Sequence, residues 1–185
     1  MLVRHTILLC QVLLRFVPTA ISPHKPDPGS PSAEARLRLI SDALSGFDPR
    51  VKVEPLELER GGTSYTVDTL EALTLREPHN QWILLMGSDQ LPGLSQWRHV
   101  ERVFQLASAA VALRPGAPFD APDLPGIQIK SRWSGAPGEL VRLPSTELDL
   151  ASTDLRACLQ ARPAEDPAGL PPQVLRTIRT ENLYC

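Results

Sequence analysis

Apolar and polar positions along the chain fall into two rhythms. Leu14-Arg15-Phe16-Val17 is a short, largely apolar run halted by Pro18, which predicts a strand. Ser30-Pro31 offers a hydroxyl cap and a proline suited to a first helical turn. Leu37, Ile40 and Leu44 then recur at helical spacing, so a helix is predicted over about 33–44, ended by Gly46. Residues 51–58 alternate in part and predict a strand. After Gly61-Gly62, Val67, Leu70 and Leu73 mark a helix that stops at Pro78. Trp82-Ile83-Leu84-Leu85-Met86 is unbroken apolar sequence closed by Gly87, the pattern of a strand buried on both faces. A helix is expected over 97–106, strands over 109–113, 127–130 and 140–143, a helix capped by Ser152, and a last helix over 172–182. Residues 1–13 are apolar without a clear period.

Strands alternating with helices imply an α/β fold, a parallel sheet with helices on both faces. In such sheets ligands sit beyond the carboxyl ends of the strands. That rule selects residues 23–25, 61–66, 87–89 and 114–116, and these are the polar, glycine-bearing segments.

The chain has 185 residues, 42% hydrophobic and 22% charged, enough for a packed core in one domain spanning 1–185. Its net charge of -2 gives no case for a nucleic-acid partner. Nineteen prolines cluster in 18–31, 115–125 and 163–172 and read as long surface loops. Cys10, Cys158 and Cys185 are far apart and lack a CxxC, which argues against a zinc site or a disulfide framework and fits a cytoplasmic setting. No apolar run is long enough to span a membrane. Arg4 precedes an apolar stretch as in a signal peptide, but Gln11 and Arg15 interrupt it.

Several residues carry candidate chemistry. Gly61-Gly62 permit a tight turn, and Ser64-Tyr65-Thr66 then stand where a helix leaves its first N–H groups unpaired, a place for an anion or a carbonyl. The plain alternative is a capped helix after a turn. His24 and Lys25 lie on a loop between prolines and offer a donor and a mobile charge for phosphate, or are simply solvated. Gly87-Ser88-Asp89 follows a strand; the glycine would admit a ligand and Asp89 would accept from ribose hydroxyls, or cap the next helix. Trp97 offers an indole face for a flat heteroaromatic ring, or is core. Ser152 and Thr153 at a helix start, with Arg156 one turn on, suit a phosphate; the alternative is a capped helix with a surface arginine.

Together these residues resemble bacterial nicotinate-nucleotide adenylyltransferase from about Phe16 to Tyr184. The pieces that carry the resemblance are Phe16-Val17-Pro18 with Pro23-His24-Lys25, Arg36, Glu57-Leu58-Glu59-Arg60, Ser64-Tyr65-Thr66-Val67-Asp68-Thr69-Leu70, Gly87-Ser88-Asp89, Trp97, Arg114-Pro115-Gly116, Ser152-Thr153-Asp154-Leu155-Arg156, Leu170-Pro171, Val174 and Asn182-Leu183-Tyr184. The resemblance implies a Rossmann-like nucleotidyltransferase fold. It implies transfer of the adenylyl group of ATP, with Mg²⁺, to nicotinate mononucleotide, giving deamido-NAD and pyrophosphate in NAD biosynthesis. Tyr65 and Thr66 would receive the nicotinate carboxylate through their backbone and Trp97 would stack on its ring. His24 and Lys25 would contact phosphates, Gly87 and Asp89 would serve the ATP side with Asp89 on a ribose, and Ser152, Thr153 and Arg156 would hold the ATP phosphates, Arg156 offsetting charge during transfer. No protein-held metal site is implied, and a homo-oligomer is compatible with the sequence.

Two departures stand out. Ala151 replaces a serine usual in the family. Residues 1–15 do not match the family's opening strand and its loop Gly-Gly-x-Phe-Asp-Pro-x-His-x-Gly-His; His5 has no partner histidine or adjacent glycine, so the catalytic role is not carried onto it. The expectation is that the first strand and phosphate loop are missing or altered, through an upstream start, a frame error or true truncation, and that this polypeptide binds nicotinate mononucleotide weakly and turns over slowly if at all. Two rivals remain: an adenylyltransferase of the same fold using nicotinamide mononucleotide or phosphopantetheine, and a truncated nucleotide-binding relic without catalysis.

Overall fold

The computed structural model describes residues 12–23, 31–144, 152–161 and 165–184. In chain order the elements are β1 (Leu14–Phe16), α1 (Ala33–Leu44), β2 (Val51–Val53), α2 (Leu56–Arg60), α3 (Thr66–Arg76), β3 (Trp82–Gly87), a 3-10 helix (Ser88–Gln96), α4 (Val100–Leu106), β4 (Ala107–Ala112), β5 (Gln128–Lys130), β6 (Glu139–Arg142), α5 (Ser152–Ala161) and α6 (Pro172–Thr180). Among the described residues these strands pair in parallel. The strands form a two-stranded sheet, β1-β2, and a four-stranded sheet in the order β3-β4-β6-β5. The chain divides into two compact units, Met1–Ser64 with Leu150–Cys185, and Tyr65–Asp149.

In the first unit Leu14 registers with Val51 and Phe16 with Val53. The strand expected over 51–58 ends at Val53, because Pro55 has no N–H to continue a ladder, and Leu56–Arg60 coil into α2 instead. Helix α1 spans the expected residues, but Ser32 rather than Ser30 is the cap, its hydroxyl accepting the Ala35 N–H at 3.2 Å. Its buried face is Ala35 and Leu39 rather than Leu37, Ile40 and Leu44. Leu39 packs with Leu159 of α5 and with Val174, Leu175 and Ile178 of α6. Two polar ties lock α1 to the α6 end of the chain: the Thr177 hydroxyl donates to Asp42, and Arg38 makes a forked contact with Glu181.

In the second unit α3 presents Val67, Leu70 and Leu73 inward as the spacing foretold, all nearly fully buried. Val67 and Leu70 meet Val103 and Phe104 of α4, Leu91 and Leu94 of the 3-10 helix, and Met86, Ala109, Val111 and Leu140 of the sheet in one apolar core. The expected helix over 97–106 begins only at Val100, because His99 adopts a left-handed conformation (φ 50°, ψ 47°) that breaks the chain between the 3-10 helix and α4. Strand β3 is not buried on both faces. Met86 is core and Trp82 and Leu84 pack against it, whereas Ile83 and Leu85 on the opposite face are 36% and 42% exposed. Among the described residues β3 pairs only with β4.

Candidate active site

Gly61 and Gly62 both hold positive φ, 69° and 70°, a backbone path that a residue with a Cβ resists. The turn they make delivers Thr63 to a parallel bridge with Ile21 and lets the Ser64 N–H donate to the Ile21 carbonyl at 2.9 Å. The Ser64 hydroxyl accepts the Ala20 N–H at 3.0 Å, and Arg36 donates to the Ala20 and Pro31 carbonyls. Ser64 is therefore not a helix cap, as its place before a helix suggested; it fastens the loop that leaves β1.

The capping position of α3 belongs to Tyr65, whose side chain makes no capping hydrogen bond. Its carbonyl accepts the Thr69 N–H and the Thr69 hydroxyl. The earlier N–H groups of α3 have no intrahelical acceptor, and the helix dipole adds partial positive charge there. Tyr65 and Trp97 pack against the same core. Arg98, which no sequence pattern singles out, lies over the Tyr65 ring, its guanidinium carbon 4.6 Å from the centroid, and 3.9 Å from Asp68 in the first turn of α3. The structure thus places Tyr65, Thr66 and Trp97 in one unit, with a cation beside them.

The carboxyl ends of β3 and β4 form a second cluster of the same unit. The Ser88 hydroxyl donates to the Ala117 carbonyl at 2.7 Å and accepts the Arg114 N–H at 3.0 Å, tying the segments that leave the two strands. Asp89 does not cap the following helix. It sits in the first turn of the 3-10 helix, with Oδ1 3.2 Å from Arg114 Nε and Oδ2 accepting from Gln90. A side chain at Gly87 would intrude on this arrangement: a Cβ there would lie 2.3 Å from Asp89 Oδ1 and 3.0 Å from Arg114 Nε.

In the other unit Ser152 is the first helical residue of α5 rather than a cap, and Ser152 and Thr153 are exposed. Arg156 stands one turn on with its guanidinium 5.4 Å from the Tyr184 ring centroid. His24 and Lys25 lie outside the described residues, as do Cys10, Ala151 and Cys185. Among the described residues no group of three or more His, Cys, Asp or Glu side chains could hold a metal ion, and no helix is long and apolar enough to cross a membrane.

No protein-family model matches the chain. Curated relatives do. One from Hydrogenovibrio crunogenus, described as a probable nicotinate-nucleotide adenylyltransferase, is 36% identical over 175 residues, which cover 92% of this chain and 82% of the relative. Another of the same description, from Bordetella petrii, is 37% identical over 171 residues, covering 92% and 83%. This chain belongs to the nicotinate-nucleotide adenylyltransferase family. The family fold is borne out by a solved structure of Plasmodium falciparum nicotinic acid mononucleotide adenylyltransferase complexed with NaAD, which superposes with a TM-score of 0.69 over 97% of this chain and 89% of that one at 16% identity. The Rossmann-like nucleotidyltransferase fold expected from the sequence is thus the fold observed.

Proposed function

We propose that the chain transfers the adenylyl group of ATP to nicotinate mononucleotide, forming deamido-NAD. The observation that carries this reading is the start of α3, where Tyr65 supplies no side-chain cap and Arg98 adds positive charge. A nicotinate carboxylate would take the N–H groups that the helix leaves open, with Trp97 against the pyridine ring. Gly87 and Asp89 would receive the ATP ribose, Asp89 being held in position by Arg114. Ser152, Thr153 and Arg156 would take the ATP phosphates, the arginine moving from the Tyr184 ring to phosphoryl oxygens, and His24 and Lys25 would add phosphate contacts.

The reaction would be a direct displacement. A phosphate oxygen of the mononucleotide bonds to the α-phosphorus of ATP, the bond to the bridging oxygen breaks, and pyrophosphate leaves. The chain's own residues contribute alignment and charge stabilisation rather than a covalent intermediate. Mg²⁺ accompanying ATP would supply neutralisation of the phosphate charge. Small nucleotides are the partners of this reading, and a cytoplasmic setting supplies both.

The test is calorimetric titration with nicotinate and nicotinamide mononucleotides, alongside a single-turnover assay with enzyme in excess over ATP, Mg²⁺ present. Tighter binding of the acid and formation of deamido-NAD with equimolar pyrophosphate are expected. Equal or tighter binding of the amide would overturn the reading.

A further inference from the structure

Backbone N–H groups alone do not separate nicotinate from nicotinamide, because a carboxamide also offers a carbonyl oxygen to them. What separates the two ligands is net charge, and a guanidinium senses net charge. Arg98 is the cation positioned to do so. It stands between Trp97 and the left-handed His99, so the chain turns sharply just after it. Its guanidinium is steadied by the Tyr65 ring at 4.6 Å and by Asp68 at 3.9 Å. Neither contact uses its donors fully. The ring accepts no conventional hydrogen bond, and 3.9 Å exceeds hydrogen-bond length. Half of the side chain is exposed. Arg114, by comparison, closes to 3.2 Å on Asp89.

We propose that Arg98 sets the preference for the acid over the amide, by directing its N–H donors to the ligand carboxylate at the start of α3. This rests on the assignment of that helix start to the nicotinate group. Asp68 then has two roles: it restrains Arg98, and it competes with the ligand carboxylate for the same cation.

Binding of nicotinate and nicotinamide mononucleotides to the full chain tests this, with Arg98→Met, Arg98→Lys and Asp68→Asn as variants and thermal unfolding as the check on folding. Methionine keeps an apolar stem against Tyr65 and removes the charge. Arg98→Met is expected to lower the acid-to-amide affinity ratio by roughly 3- to 10-fold, the range for a partly exposed charged contact, the amide losing less affinity than the acid. Lysine should restore most of the ratio, and Asp68→Asn should raise it. A ratio unchanged in Arg98→Met, or equal loss of both ligands, would overturn the role of Arg98. If the wild-type chain prefers the acid and Arg98→Met keeps the same ratio, only Arg98 is wrongly assigned. If the wild-type chain shows no preference, the assignment of the helix start falls and takes this role with it.

Discussion

Asp89 and Arg114 meet at 3.2 Å where the chain leaves two neighbouring parallel strands. The pair fixes a carboxylate at the place where α/β sheets receive ligands, and Gly87 keeps the space around it open. Gly87 has φ -83° and ψ 154°, which alanine adopts without strain. The atoms a new methyl would strike are ends of side chains that can move. Gly87→Ala is therefore expected to fold with a stability change within about 1 kcal/mol, while displacing Asp89 and weakening ATP binding by roughly tenfold, which is about 1.4 kcal/mol. Urea unfolding and ATP titration on the same preparation check both halves.

Ser64 is expected to matter for stability. It is nearly buried and accepts the Ala20 N–H through its hydroxyl. Ser64→Ala leaves that N–H without its acceptor, a loss of roughly 1–3 kcal/mol. It should appear as a lower urea midpoint with an unchanged slope.

Acid sensitivity is expected from Glu139. The Ser134 hydroxyl and the Ser134 N–H both donate to its carboxylate, at 2.6 and 2.7 Å, and hold its pKa below the ordinary 4.5. A carboxyl with a depressed folded-state value stabilises the fold fully above its unfolded value and loses that contribution as the pH falls through the folded one. Urea midpoints across pH 7 to 3 should therefore fall below about pH 4.5. Glu139→Gln should be less stable than the parent at pH 7, and the gap should narrow as acid is added. A constant gap would show that the clasp does not depend on the charge.

The sequence shows the segments that carry local signals. Glycines at 61 and 62 announce a turn, and both take positive φ. The spacing of Val67, Leu70 and Leu73 names the buried face of α3 correctly. What stays hidden depends on partners distant in the chain. Ser64 reads as a cap because it precedes a helix, yet its hydroxyl is taken by Ala20, 44 positions away. Arg98 carries no motif of its own; its importance lies in Tyr65 and Asp68, which only folding brings near. The apolar run of β3 suggests burial on both faces, but alternation of side chains cannot reveal how many neighbours a strand acquires.

That last point bears on how the protein will behave at high concentration. Trp82–Gly87 carries no charge, no lysine and no proline, the residues that usually keep exposed strands from associating. Ile83 and Leu85 stand exposed on one face of this uncharged strand, an apolar surface of the kind that draws molecules together in concentrated solution. Shelf life and the onset of aggregation are then expected to respond to a charge introduced at Ile83 or Leu85 more than melting temperature does.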